Sequence, residues 1–210
     1  MLRIYNFPRG ARGLRLMWQC EEMGLAYQVE QVGYPVSAAY RTRHPLGNVP
    51  FLEDEGNGVA LSESVAIMLY LAQQYGPTPL LPLEDAARLA RTLQMATFGE
   101  ATLGALLNPM IAARFAAPEP DKRNWSVSWL EQRTEQAVAF TAQVLGDSPC
   151  LAGEELTLAD ISVVPALLMW RGIFAKVLPD TLTAYVERAT SRPAYQKARP
   201  RCDAKAATPA

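Results

Sequence analysis

The residues best suited to chemistry are Gly47-Asn48-Val49-Pro50-Phe51-Leu52 and, a little further on, Leu61-Ser62-Glu63-Ser64-Val65. A valine ahead of a proline at the start of an apolar run can turn an unpaired backbone edge toward a ligand. An X-Pro bond costs only about 0.5–1 kcal/mol to hold cis, so such a bend is accessible. The acid–serine pair opens the next apolar segment. There it supplies a hydroxyl, backbone N–H groups and the positive end of a helix dipole, all suited to a carboxylate. Singly, Ser62 or Ser64 reads as a helix cap and Pro50 as a bend in an edge strand. Jointly they describe a cradle for a short peptide with a free carboxylate.

The elements that must hold this cradle can be read from periodicity and breakers. Leu2 to Asn6 is a strand, broken by Phe7-Pro8-Arg9-Gly10. From about Arg12 to Met23, Leu14, Met17 and Trp18 fall at helical spacing, ended by Gly24. Ala26 to Val32 is a second strand, and residues 37–43 make one or two helical turns. Pro50 to Glu53 and Val59 to Leu61 flank Asp54-Glu55-Gly56-Asn57-Gly58, a hairpin signal. Ser64 to Tyr75 is a helix stopped by Gly76-Pro77. The order β-α-β-α-β-β-α is that of a thioredoxin-like domain, residues 1–75.

The proline-rich stretch 76–84 reads as a linker, and residues 85–210 as an all-helical second domain. One long helix is predicted from about Asp85 to Arg114, disturbed at Pro109. A second spans roughly Trp125 to Leu145, a third starts at Thr157, and the tail after Pro200 is frayed. Thr157 and Asp160 form an acidic variant of the capping box, with Leu156 and Ile161 as its hydrophobic staple. That motif is a folding device without chemistry.

Bulk properties exclude several classes. Of the 210 residues half are apolar, enough for a sizeable core, and the net charge of −1 gives no hold on nucleic acid or another polyanion. No apolar run reaches the ~18 residues of a membrane span. The start reads as a strand, not an export signal. Three scattered cysteines, Cys20, Cys150 and Cys202, fit a reducing compartment, so a cytoplasmic protein is expected. They offer no metal-ligand spacing, and the single histidine, His44, has no second histidine to pair with. His44 is expected at the surface or in packing behind a site, and no metal is expected. Cys20 falls inside the first helix without a CxxC partner, which argues against a dithiol mechanism of the protein's own.

The chain resembles a cytosolic glutathione S-transferase of bacterial type along nearly its whole length. The resemblance rests on Gly47-Asn48-Val49-Pro50, Glu63-Ser64, the run Glu21-Glu22-Met23-Gly24-Leu25-Ala26-Tyr27, and Gly153-Glu154-Glu155-Leu156-Thr157-Leu158-Ala159-Asp160. Each is weak alone; in this order and spacing the set is specific. The resemblance implies glutathione as co-substrate, with the Val49 backbone pairing against its cysteinyl part beside a cis Pro50. Glu63 and Ser64 would hold the γ-glutamyl end, and Asn48 would reach the cysteinyl or glycyl portion. It also implies a homodimer, with Met68, Tyr70 and the long helix at its seam. The second substrate would be a small hydrophobic electrophile or disulfide, walled by members of Phe98, Leu103, Leu106, Pro109, Met110, Arg114 and Phe115, joined by Trp170 and Phe174.

Catalysis of that kind requires a thiolate. Lowering a thiol pKa by ~2 units takes about 2.7 kcal/mol of preferential stabilisation of the anion. A hydrogen bond to a charged acceptor supplies roughly 1.5–3 kcal/mol. Relatives place Tyr, Ser or Cys at the end of the first strand or the start of the first helix. Here Asn6, not Tyr5, occupies the tyrosine position, and Gly10-Ala11-Arg12-Gly13 carries no hydroxyl or thiol. The catalytic candidates, in order, are Asn6 through its amide, Tyr5 after a shift of register, and Arg12. Backbone N–H groups around Gly10 to Gly13 are a further source of anion stabilisation. Against these, Asn6 reads as a strand-end turn residue and Arg12 as a solvated cation. Conjugation is the expected reaction. The alternatives are glutathione-dependent reduction of disulfides or peroxides, and a non-catalytic glutathione-binding carrier or interaction protein. An isomerase for a maleyl-type substrate is a third reading, although that subgroup's serine-cysteine run is absent.

Overall fold

The structure, a computed structural model, describes residues 1–204. It divides into two compact units, Met1–Thr78 with the segment from Thr190 onward, and Pro79–Ala189.

The first unit is a four-stranded sheet of order β2-β1-β3-β4, with β1 Leu2–Asn6, β2 Tyr27–Gln31, β3 Phe51–Asp54 and β4 Val59–Ser62. β1 runs parallel to β2 and antiparallel to β3, and β3 pairs antiparallel with β4. α1 (Ala11–Glu22), α2 (Ala38–Arg43) and α3 (Ser64–Gln74) connect them. This is the thioredoxin-like order expected from the sequence. Period-two alternation decides which face of β1 each side chain joins. Ile4 and Asn6 are fully buried, whereas Tyr5 joins Val32, Tyr40 and Phe51 in a separate cluster. α1 is tied to α3 by Gln19 Nε2, which donates to the Met68 carbonyl at 2.8 Å. Met68 is fully buried, so it belongs to the core and not to a dimer seam.

The last helix, α9 (Pro193–Asp203), packs on α1. The Tyr195 ring meets Trp18 edge-on at 5.1 Å, and Arg192 forks onto both Glu22 oxygens at 2.6 and 2.7 Å. Arg201 bonds Glu21 and the Tyr27 carbonyl and lies 3.7 Å over the Tyr27 ring. Two expectations change here. The segment from Thr190 joins the first unit instead of the helical domain, because its side chains find their partners on α1 and β2. The chain also does not fray after Pro200: helix continues to Asp203 and Cys202 is fully buried. Residues 205–210 of that expectation lie outside the described residues.

The second unit contains α4 (Ala86–Phe98), α5 (Ala105–Ala116), α6 (Trp125–Leu145), α7 (Leu158–Ile173) and α8 (Asp180–Thr190). The long helix predicted over 85–114 is interrupted by a π-helical segment at Gly99–Gly104, upstream of Pro109, which sits inside α5. A widened turn of this kind shifts helix register without ending the rod. A close approach marks its start: a Cβ on Gly99 would fall 2.4 Å from Ser162 Oγ of α7, and that Oγ donates to the Ala96 carbonyl at 2.6 Å. α7 starts on the capping box. Thr157 Oγ1 accepts from Ala159 N–H at 3.3 Å, and Asp160 Oδ2 accepts from Thr157 N–H at 2.8 Å. Among the described residues no helix is long and apolar enough to cross a membrane.

Candidate functional site

Register brings the two halves of the peptide cradle together. Phe51 of β3 faces Ser62 of β4, so Val49-Pro50, just before β3, and Glu63-Ser64, just after β4, share one end of the sheet. Val49–Pro50 is cis, as the sequence implied. Among the described residues the Val49 N–H and carbonyl make no backbone hydrogen bond, which leaves an open edge. Asn48 is exposed, and its carbonyl is held by the Tyr40 hydroxyl at 2.7 Å. Sequence reasoning missed this role for Tyr40; no motif marks it.

Glu63 is exposed at the N-cap of α3 with φ +72° and ψ 111°, a region costly for any residue with a Cβ. Local strain of this kind collects at ligand sites and costs of order 1–3 kcal/mol. Ser64 opens the helix and is buried, and the first ladder bond runs from Ile67 N–H to the Glu63 carbonyl at 2.9 Å. The amides before it present the positive end of the α3 dipole to anything carrying negative charge there.

The β1–α1 turn holds the three catalytic candidates, and the structure gives each a different position. The Tyr5 hydroxyl donates to Glu53 Oε2 at 2.8 Å, and Glu53 Oε1 accepts from Arg43 at 2.6 Å. Burial, followed by that bond to Glu53, raises the Tyr5 pKa, so its one proton is committed away from any sulfur. Asn6 is fully buried, and its Nδ2 lies 3.6 Å from the sulfur of Cys202. The expectation that Asn6 itself donates to a bound thiolate therefore gives way: its amide faces inward, beneath the turn. A Cβ on Gly13 would fall 2.0 Å from Asn6 Oδ1 and one on Gly10 2.6 Å from it, so both glycines are needed for the helix to lie over Asn6. Arg12 is half-exposed in the first turn of α1.

Cys202 was not anticipated at this turn. Its Sγ donates to the Gly10 carbonyl at 3.3 Å, and its carbonyl accepts Arg9 N–H at 3.0 Å. Arg9 has φ +64°. The sequence separation of 196 residues between Asn6 and Cys202 hides this from any local reading. Burial pushes the Cys202 thiol up to about 11 and that of Cys20 to about 12, so neither is a nucleophile at neutral pH. α1 itself starts on Gly10 with no side-chain cap, and its first ladder bond is Leu14 N–H to the Gly10 carbonyl at 3.2 Å. The turn thus presents backbone donors and a helix dipole.

His44 is buried, not at the surface, with its ring 5.4 Å from Phe51 and 6.4 Å from Tyr40. Among the described residues no cluster of three or more His, Cys, Asp or Glu side chains is placed to hold a metal ion.

A thioredoxin-like unit with a cis-proline edge, and an all-helical unit with a capped inner helix, define a class of two-domain fold. Comparison with known proteins places the chain within it. Residues 1–73 match the family described as glutathione S-transferase, N-terminal domain, and residues 107–193 match glutathione S-transferase, C-terminal domain. The chain belongs to the glutathione S-transferase family. It is 28% identical to "Probable maleylacetoacetate isomerase 2" of Drosophila melanogaster over 94% of this chain and 87% of that protein. It is 26% identical to "Disulfide-bond oxidoreductase YfcG" of Escherichia coli strain K12 over 94% of each. Among solved structures it superposes with a TM-score of 0.78 on the theta class glutathione S-transferase of Xanthomonas axonopodis pv. citri with glutathione bound. That pair is 26% identical, covering 94% of this chain and 96% of the other.

Proposed function

We propose that the protein binds glutathione at Asn48, Val49, Pro50, Glu63 and Ser64, holds its sulfur as the thiolate, and directs it onto a hydrophobic electrophile. The observation that carries this reading is the meeting of an open Val49 backbone edge with the strained Glu63 and the start of α3. A peptide backbone adds to the first as a short antiparallel strand. The α-carboxylate of the γ-glutamyl end takes the second, where Ser64 and the helix dipole favour an anion.

The thiolate donor is the N-terminal turn of α1. Its leading amides, with the Arg12 charge nearby, replace the hydroxyl that relatives carry. Together a charge-assisted hydrogen bond of roughly 1.5–3 kcal/mol and a helix dipole of about 0.3–1 kcal/mol reach the ~2.7 kcal/mol needed for two units. Asn6 acts through the turn, as a positioning residue.

The test is a pH titration of thiolate absorbance for glutathione bound to the protein, against free glutathione. A bound pKa about two units below the free value supports the transferase. Binding with an unmoved pKa favours a carrier, and absence of binding overturns the site.

A second reading, glutathione-dependent disulfide reduction, is favoured by the likeness to the Escherichia coli disulfide-bond oxidoreductase. Because both buried thiols are protonated, the attacking sulfur would be glutathione's. Turnover of a small disulfide with glutathione that survives Cys202→Ser would support it; abolition by that variant would speak against it.

A further inference from the structure

The six-residue helix α2 carries one buried side chain, Tyr40. Its ring lies in the cluster with Tyr5, Val32 and Phe51 against which Val49 packs, 5.5 Å from the Tyr5 ring. Its hydroxyl donates to the Asn48 carbonyl at 2.7 Å. Burial, then the nearness of Tyr5 and Glu53, pushes the Tyr40 pKa up to about 12. The phenol therefore keeps its proton and remains a donor at neutral pH.

The segment leading to Val49 is held mostly from α2. Gly47 N–H donates to the His44 carbonyl at 2.8 Å, and Arg41 Nη1 donates to the Pro45 carbonyl at 3.2 Å. Gly47 takes φ +67°, and a Cβ there would fall 3.1 Å from the Arg41 guanidinium. The Arg41 bond lies at the exposed surface, whereas the Tyr40 bond is partly buried, so the hydroxyl has the firmer hold. α2 is itself anchored at its other end. Arg43 donates to Glu53 Oε1 at 2.6 Å, and the Tyr5 hydroxyl donates to Glu53 Oε2 at 2.8 Å.

The Asn48 carbonyl and the Val49 N–H belong to one peptide plane. In a planar trans peptide these two groups point in opposite directions, so fixing one aims the other. From this relationship we infer that Tyr40 is a positioning residue: by gripping the Asn48 carbonyl it aims the Val49 N–H at a peptide carbonyl of glutathione. The inference rests on the proposed glutathione site and adds to it the residue that sets the edge before the peptide arrives. Preorganisation of this kind raises affinity without a new contact to the ligand. The hydroxyl's single proton is spent on Asn48, so its removal changes binding and leaves the thiolate alone.

The variant that tests this is Tyr40→Phe, which keeps the ring and removes only the hydroxyl. The KM for glutathione and its calorimetric Kd should rise about fivefold, the size of one lost neutral hydrogen bond. The kcat at saturating glutathione and the pKa of the bound thiol should keep their wild-type values. In the ligand-free protein the Gly47 amide should exchange about fivefold faster, while the amides of β1 keep their rates. Thr42→Ala, at an exposed position of α2, should change none of these. A wild-type KM in Tyr40→Phe overturns the inference, as does a loss carried by kcat. Faster exchange throughout β1 also overturns it, since the hydroxyl would then serve stability alone. Failure of the glutathione reading looks different: the wild-type chain itself would bind no glutathione, which overturns that reading and this inference together.

Discussion

The side-chain amide of Asn6, at the end of the first strand, lies 3.6 Å from the sulfur of Cys202, in the last helix. The same sulfur donates to the Gly10 carbonyl, and the Cys202 carbonyl receives Arg9 N–H. Strand, turn and C-terminal helix therefore meet at one buried thiol. Under the proposed function, in which this turn aims backbone amides at a sulfur anion, such a fixture is a gain, because preorganised dipoles stabilise charge without reorganising. Arg9, at φ +64°, would otherwise relax toward a commoner conformation.

Cys202→Ala is accordingly expected to loosen the turn. Losing a neutral hydrogen bond costs about 1 kcal/mol, which corresponds to roughly a fivefold fall in turnover. The pKa of bound glutathione should rise with it, while the affinity of the γ-glutamyl end stays unchanged. Cys202→Ser, which keeps a donor and an acceptor, should restore most of the effect. A turnover loss without a pKa change would show that the thiol serves stability alone.

Gly13 and Asn6 should be energetically coupled. A methyl group on Gly13 would sit 2.0 Å from Asn6 Oδ1, so Gly13→Ala forces the amide or the helix to move. Overpacking of this kind costs roughly 1–3 kcal/mol, more than the ~1 kcal/mol gained from alanine's helix propensity. In a double-mutant cycle read by urea unfolding, Asn6→Ala should recover part of the loss. Strict additivity would contradict the close packing.

The meeting of Gly47-Asn48-Val49-Pro50 with Ser62-Glu63-Ser64 was legible in the sequence because both segments sit at breakers and a hairpin fixes their register. The capping box of α7 was legible for the same reason, since its partners lie three residues apart. The packing of the β1–α1 turn was not. Strand alternation puts Tyr5 and Asn6 on opposite faces, but only the fold shows that the Tyr5 hydroxyl is committed to Glu53 and that Asn6 faces Cys202. The break in the long helix was placed at Pro109 because proline is a visible signal. The interruption lies instead at Gly99–Gly104, where Gly99 meets Ser162, a contact between distant segments.

Glu63 makes stability and binding pull in opposite directions. Its φ of +72° is unfavourable for every residue except glycine. Glu63→Gly should raise stability by about 1 kcal/mol in thermal unfolding and weaken glutathione binding. Ser64→Ala should leave that strain in place and cost roughly 1.5–3 kcal/mol of binding, about ten- to a hundredfold in Kd. If Glu63→Gly gained stability and kept full affinity, the strain would have no part in the site.

Asp54 should set the acid limit of the first unit. Burial alone would raise its pKa, but hydrogen bonds from Tyr75 at 2.5 Å, Asn57 at 2.8 Å and Tyr70 at 2.7 Å outweigh that and hold it at about 2, below its ordinary 3.8. An acid with a depressed folded pKa contributes stability that is fully present above its unfolded pKa and disappears as pH falls through the folded value. The wild-type unfolding free energy should therefore drop between about pH 4 and pH 2, and that component should vanish in Asp54→Asn, which is less stable at neutral pH but flatter in acid. Tyr75→Phe removes the shortest of the three bonds. It should cost about 1.5–3 kcal/mol at neutral pH, as expected for a hydrogen bond to a charged group, and move the acid transition upward. An Asp54→Asn protein with the wild-type acid profile would assign that transition to other carboxylates.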